Sequence, residues 1–129
     1  MMKLSEAIRK GASHHPQGFG KYFAYNEQGE LCSCALGAAY DDVLVELGRG
    51  AMHGALVPGN ISNTILSHVE GIYFYTAIPL PQPYPDQMWS DSRVYNPSSV
   101  RILSAVTILN DDYRWTREQI ADYLEQQGY

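Results

Sequence analysis

The sequence predicts an α+β fold in which residues 1–129 form a single domain. Apolar residues recur at helical spacing in five separate segments, which predicts five helices. Between the first two of these segments, aromatic and apolar residues flank a short turn that contains Asn and Gly, a pattern typical of an antiparallel β-hairpin. A chain of 129 residues has the usual length of one domain and can bury one hydrophobic core without disulfides.

The first half of the chain contains three predicted elements. Apolar residues share one face of a helix over about 4–12, and Gly11 lies where a C-terminal glycine would end it. A short antiparallel hairpin is predicted over about 21–34. The helix over about 34–47 is expected to be the central core helix, because Ser33 can cap it and its small residues allow another backbone to lie against it.

The second half begins with a predicted helix over about 60–69 and a strand near 72–78, where the residues are aromatic and β-branched. A further helix is predicted over about 98–109. Asn96 offers its cap and Pro97 its first turn.

The last predicted helix, over about 117–127, has the most specific start signal in the chain. Thr116 can cap the first turn and Gln119 can reach back to it, while Trp115 and Ile120 occupy the two positions of a hydrophobic staple. We expect this helix and the one before it to form an antiparallel pair. The apolar residues expected between them are Leu103, Val106, Ile120 and Leu124.

A proline-rich arm is predicted over about 79–97. Four prolines at alternate positions from Pro79 to Pro85 forbid regular structure and favour an extended segment. The arm also carries residue types that are enriched in interface hot spots. We expect a protein partner, or a second copy of the chain, to bind there on Tyr84, Met88, Trp89 and Tyr95.

The composition disfavours two classes of partner. The formal net charge is −5, whereas affinity for nucleic acid rests largely on neutralised phosphates. No apolar run is long enough for a signal peptide or a membrane span, so we expect a soluble, cytoplasmic protein.

The chain has ten tyrosines and 18% charged residues, and a tyrosine-rich surface of low charge favours contacts with other molecules.

Cys32 and Cys34 are the two cysteines of the chain, and their close spacing disfavours a disulfide between them. A zinc site would need them together with histidines: His14, His15, His53 or His68. Because the second paired motif of a structural zinc site is missing, we expect no metal and no cofactor. Cys34 precedes a predicted helix and is the better placed thiol, but no acid or base partner is evident, and we predict no catalytic residue.

Two pairs of carboxylates could hold magnesium or serve as acid and base. Asp41 and Asp42 lie in the middle of a predicted helix, where the face opposite the apolar stripe must be polar. Asp111 and Asp112 lie in a turn predicted over 110–114, which favours Asn and Asp for backbone reasons. We therefore expect both pairs to have structural roles, with Asp41 and Asp42 on the solvent-facing side of their helix.

Three segments resemble a group of small bacterial and phage proteins without a known activity. They are LSEAIRKG at Leu4–Gly11, CALGAA at Cys34–Ala39, and LNDD followed by WTREQIAD within Leu109–Asp122. Members of that group often carry a cysteine pair and two histidines suited to zinc. Here Ile108 and Tyr113 stand at the histidine positions, so the resemblance implies a chain of phage or bacterial origin that has dispensed with the metal.

Residues 116–124 are also similar to the opening helix of the helix-turn-helix in bacterial regulators of the catabolite-activator type. Such a motif needs a recognition helix after it, and the sequence supplies none. This second resemblance therefore predicts no DNA-binding function.

From these observations we expect a non-enzymatic binding protein that associates with a macromolecule or with itself. One alternative is a nucleotide-binding protein that sequesters a host defence signal, with phosphate bound by Arg49, Arg93 and Arg114. Gly18–Lys21 does not support a phosphate loop, because it is too short and precedes a strand, and we assign it to a tight turn. Another alternative is a small hydrolase, for which the sequence offers no catalytic triad or metal cluster.

Overall fold

The computed structural model describes residues 2–48, 61–86 and 96–129, and it has an α+β fold as predicted. The described residues form five helices and two antiparallel two-stranded sheets. In chain order the elements are α1 (Leu4–Ala12), β1 (Phe23–Tyr25), β2 (Leu31–Ser33), α2 (Ala35–Glu46), α3 (Ile61–His68), β3 (Ala77–Ile78), β4 (Val100–Arg101), α4 (Ile102–Asp111) and α5 (Arg117–Gln126).

Helix α2 lies at the centre of the core, and its small residues let other backbones approach, as predicted. Gly11 of α1 packs directly on the backbone of Ala38, and Gly37 packs on the backbone of Tyr22. Gly11 does not end its helix as predicted, because α1 continues to Ala12. The glycine is required for close packing between helices and not for a left-handed turn.

The first sheet is the predicted hairpin. Phe23 pairs with Ser33 and Tyr25 pairs with Leu31 in antiparallel register. The Asn26 side chain accepts hydrogen bonds from two backbone N–H groups of the turn, each at 2.9 Å. Such a turn is specified locally, which explains why it could be predicted from the sequence.

The strand predicted over 72–78 is wrong for most of its length. Only Ala77–Ile78 pairs with another strand, β4, whereas Tyr73–Thr76 forms a turn in which Thr76 N–H donates to the Tyr73 carbonyl at 3.0 Å. Helix α4 begins at Ile102 and not near residue 98, because the preceding residues form β4. Asn96 closes a local turn instead, accepting from Ser98 N–H at 3.0 Å.

Helix α5 has the predicted capping box. The Thr116 side chain accepts from the backbone N–H of Gln119 at 3.1 Å, and the Gln119 side chain accepts from the backbone N–H of Thr116 at 2.9 Å. Trp115 is half-buried and packs against the core cluster that contains Ile120. The start of α5 is therefore fixed by residues within one turn of it.

Helix α5 contacts α4, with which an antiparallel pair was predicted, but it lies mainly against α1, a contact that the sequence did not predict. Val106, Ile120 and Leu124 are fully buried as predicted, but Leu103 is only partly buried. The pairing with α1 brings together residues from the two ends of the described chain.

The buried side chain of Arg117 connects α5 to two other segments. Its guanidinium donates to the Ser33 hydroxyl at 2.9 Å, to the His15 carbonyl at 2.7 Å and to the Ala12 carbonyl at 3.2 Å. Burial lowers the pKa of this arginine. Hydrogen bonds from a charged donor are stronger than neutral ones, so Arg117 holds α1, β2 and α5 together.

Among the described helices, none combines the length and the apolar character that are needed to cross a membrane.

Candidate functional site

A pocket of about 780 Å³ lies between the loop before β1 and the C-terminal end of α4. We call it the Phe19 pocket. Its volume is within the range of small-molecule sites, which are mostly apolar with a few polar groups. The lining includes Phe19, Lys21, Tyr22, Cys34, Asp111 and Arg114.

The buried side chain of Asn110 fixes one wall of the Phe19 pocket. Its amide nitrogen donates to the Gly18 carbonyl at 3.0 Å and to Asp111 Oδ1 at 2.8 Å. Its amide oxygen accepts from the Ala35 N–H at 3.1 Å and from the Gln17 side chain at 2.9 Å. These four hydrogen bonds tie α4, α2 and the loop before β1 into one rigid unit.

The loop at Gly18–Lys21 is a tight turn, as predicted. Gly20 has a φ of 78°, a conformation that glycine adopts without steric cost, and its N–H donates to Asp111 Oδ1 at 3.0 Å. Asp111 is the last residue of α4 and Asp112 caps it, so the expected turn begins later than predicted. Both carboxyl side chains line the pocket.

Arg114 lies at the edge of the Phe19 pocket in a left-handed backbone conformation, with a φ of 56°. Its guanidinium carbon is 4.2 Å from the centre of the Phe19 ring, a cation–π contact. Arg114 is the one predicted phosphate-binding arginine within the described residues. Arg49 and Arg93 lie outside them.

Cys34, and not Ser33, caps α2. Its sulfur accepts from the Gly37 N–H at 3.4 Å, while the Ser33 hydroxyl is engaged by Arg117. Cys34 precedes α2, the position that made it the better placed thiol in the sequence, but burial raises its pKa to about 11. Cys34 is therefore protonated at neutral pH. Cys32 is likewise a free, buried cysteine.

The carboxylates Asp41 and Asp42 are buried in α2, which corrects the prediction of a solvent-facing pair. Asp41 Oδ2 lies 2.6 Å from His14 Nδ1 and 3.6 Å from His15 Nε2. Burial raises the pKa of Asp42. In the part of the chain that the structure describes, no three His, Cys, Asp or Glu residues are grouped so that they could hold a metal ion.

Three consecutive aromatic residues, Tyr73, Phe74 and Tyr75, form an exposed cluster that we call the aromatic surface. Their side chains are 60%, 68% and 64% exposed. The Tyr73 and Tyr75 rings are stacked at 5.5 Å and 8°, and Phe74 meets Tyr75 edge-on at 5.4 Å. The guanidinium carbon of Arg101 lies 5.9 Å from the centre of the Phe74 ring.

The turn that carries the aromatic surface is held in place by buried groups. Thr76 is buried, and its hydroxyl accepts from the Tyr73 N–H at 2.9 Å. The Thr76 carbonyl accepts from the N–H of Ile102 at 2.9 Å. Thr76 thus closes the turn and ties it to the start of α4, with the three aromatic side chains facing solvent.

The first part of the predicted proline arm is docked on the body of the protein. Tyr123 donates its hydroxyl to the Pro79 carbonyl and Tyr113 donates to the Pro81 carbonyl, both at 2.6 Å. Leu80 between them is buried. Of the four residues predicted to bind a partner, Tyr84 is 37% exposed. The others, Met88, Trp89 and Tyr95, lie outside the described residues.

The sequence reasoning missed the aromatic surface and most of the Phe19 pocket. Tyr73–Tyr75 was interpreted as strand because aromatic residues favour strands. One signal was available: three adjacent aromatic side chains cannot all face the core from a strand, whose residues alternate between two faces. For Asn110 no comparable signal existed, because three of its four partners, Gln17, Gly18 and Ala35, are remote in the chain.

Comparison of the chain with protein-family models, with curated proteins and with solved structures gives no match. The resemblance to small bacterial and phage proteins therefore stays a prediction.

Proposed function

We propose that the protein is a non-enzymatic binding protein that acts through protein–protein association, with the aromatic surface as its contact site. The observation that carries this proposal is the exposure of Tyr73, Phe74 and Tyr75 beyond half of each side chain. Exposed clusters of large aromatic side chains mark interaction sites, and tyrosine is enriched among residues that dominate binding energy.

The partner that we propose is a second copy of the same chain. The stacked pair of Tyr73 and Tyr75 presents flat rings, and a copy related by a two-fold axis presents the same rings, so that the surface of one copy can pack on that of the other. The three side chains offer roughly 400 Å² of apolar area per copy, about half of what a stable interface buries on each side. The proposed association is therefore weak and depends on concentration.

The net charge of the chain should make the association depend on ionic strength. Each copy has a formal net charge of −5, so two copies repel each other. Arg101 beside Phe74 places one positive charge at the contact site. Salt screens the overall repulsion but does not weaken aromatic packing, and we expect association to increase with ionic strength.

Cytoplasmic location is part of the proposal. Its support is the pair of free, buried cysteines, since thiols stay reduced in that compartment.

Sedimentation equilibrium from about 10 µM to about 1 mM, at low and at high salt, tests the proposal over the affinity range of weak complexes. We expect the average mass of the wild type to rise with concentration, and to rise further with salt. A variant with Tyr73→Ser, Phe74→Ser and Tyr75→Ser should stay monomeric. The matched control is Tyr25→Ser, which removes a tyrosine that is 57% exposed on β1. A monomeric wild type under all conditions, or a triple variant that still associates, would overturn the proposal.

A further inference from the structure

We infer that the Phe19 pocket binds a small zwitterion with an apolar or aromatic side group, the chemistry of a free α-amino acid. The inference does not depend on association through the aromatic surface, because the two sites share no residue. It rests on three features of the pocket: a guanidinium that no acidic side chain of the described residues pairs with, a carboxylate held in a fixed position, and aromatic walls.

The guanidinium of Arg114 supplies the site for a carboxylate. Within the described residues no Asp or Glu oxygen lies within 4 Å of it, and it lies over the Phe19 ring. A guanidinium binds a carboxylate through two parallel hydrogen bonds. The left-handed backbone of Arg114 is the kind of strain that is found at ligand sites, and here it holds the arginine at the pocket edge.

Asp111 supplies the site for an ammonium group. Both of its recorded hydrogen bonds, from the Gly20 N–H and from the Asn110 side chain, end on Oδ1. Within the described residues the second oxygen, Oδ2, therefore remains available to accept from a ligand. The ring of Tyr22 lines the same pocket, and the face of an aromatic ring attracts a cation.

The balance of charge decides between a zwitterion and a nucleotide. The pocket contains two basic side chains, Lys21 and Arg114, and two acidic ones, Asp111 and Asp112. A polyphosphate would bring several negative charges next to both carboxylates, which is unfavourable. A ligand with one positive and one negative group meets an opposite charge at each end.

Isothermal titration with four probes tests the inference. L-Phenylalanine carries both charges, phenethylamine carries only the ammonium group, 3-phenylpropionate carries only the carboxylate, and adenosine monophosphate carries a phosphate. We expect L-phenylalanine to bind, and each of the others to bind at least about tenfold more weakly, because each leaves one charged group of the pocket without a partner. The inference fails if L-phenylalanine does not bind, or if any other probe binds as tightly.

The Arg114→Asn variant locates the site. Asparagine tolerates the left-handed conformation, so this change removes the charge and keeps the backbone. We expect L-phenylalanine to bind this variant about tenfold more weakly. The control is Lys10→Gln, which removes an exposed positive charge of α1 that does not line the pocket and should leave binding unchanged. Equal binding by Arg114→Asn and wild type, with both folded by thermal melting, would overturn the assignment.

Discussion

Gly11 in α1 lies directly against the backbone carbonyl of Ala38 in α2, so closely that a methyl group at position 11 would overlap the oxygen. The overlapped atom belongs to the backbone of a buried helix and cannot move aside as a flexible side chain could. The close spacing between α1 and α2 therefore requires a residue without a Cβ atom at position 11.

Gly11→Ala should destabilise the protein by roughly 2 kcal/mol, because overpacking forces the helices apart. In a helix without such a close contact, the same replacement of glycine by alanine stabilises by about 1 kcal/mol. A loss of stability would therefore show that the contact with Ala38 determines the effect. Urea denaturation measures the difference. Glu6→Ala, at an exposed position of the same helix, is the control and should be nearly neutral. A variant at position 11 that is as stable as the wild type would show that the helices can separate without cost.

Arg117→Met should lower the free energy of unfolding by roughly 3 kcal/mol. Methionine fills similar space but leaves the carbonyl groups of Ala12 and His15 without their donor. The same change at the exposed Arg101 should cost less than about 0.5 kcal/mol. Chemical denaturation of both variants makes the comparison. Equal losses would mean that the buried hydrogen bonds of Arg117 contribute nothing net.

The ionisation of Tyr113 should make the free energy of unfolding depend on pH in the alkaline range. Burial raises its pKa from 10.0 to about 12, so between these values the folded protein holds a proton that the unfolded chain has lost. The folded state then binds more protons than the unfolded state, and stability must fall as pH rises through this window. Tyr113→Phe should make that decline shallower, as judged by denaturation at several pH values. In a control with Tyr25→Phe, which changes an exposed tyrosine, the slope should stay as in the wild type.

Thr116→Ala should cost about 1 kcal/mol, the usual contribution of an N-terminal cap. Its hydroxyl is the acceptor for the Gln119 N–H at the start of α5. Thr116→Ser keeps an acceptor in place and should recover most of the loss. If serine and alanine gave the same stability, the cap would have no energetic role.

The elements that the sequence predicted well are those specified by residues close together in the chain. The Thr116 capping box and the Asn26 turn are each complete within five residues, and both are present as expected. The extent of the strand near 72–78 was wrong, because its partner at Val100–Arg101 is remote and pairs with only two residues. The β propensity of residues 72–78 gives no information on how many of them a remote strand pairs with.

Burial of Asp41 and Asp42 was missed for a related reason. The amphipathic rule assumes that a helix has one face in solvent, whereas α2 contacts α1, α3 and α4 and is buried along most of its length. The Phe19 pocket was only partly predictable. Arg114 could be chosen as a charged candidate, but its position over Phe19 depends on a left-handed backbone and on the hydrogen bonds of Asn110.

The contact between α1 and α5 also bears on how the protein is made. Both the backbone N–H and the hydroxyl of Ser5 donate to the Tyr129 carbonyl at 3.1 Å, and Arg9 pairs with Asp122 at 2.7 Å. On the ribosome, α1 emerges many seconds before α5 has been translated, at roughly ten residues per second. Until then α5 cannot cover the face of α1 that receives it. Closure of this part of the core must therefore wait for α5, and during that interval the uncovered face of α1 is accessible to chaperones and proteases.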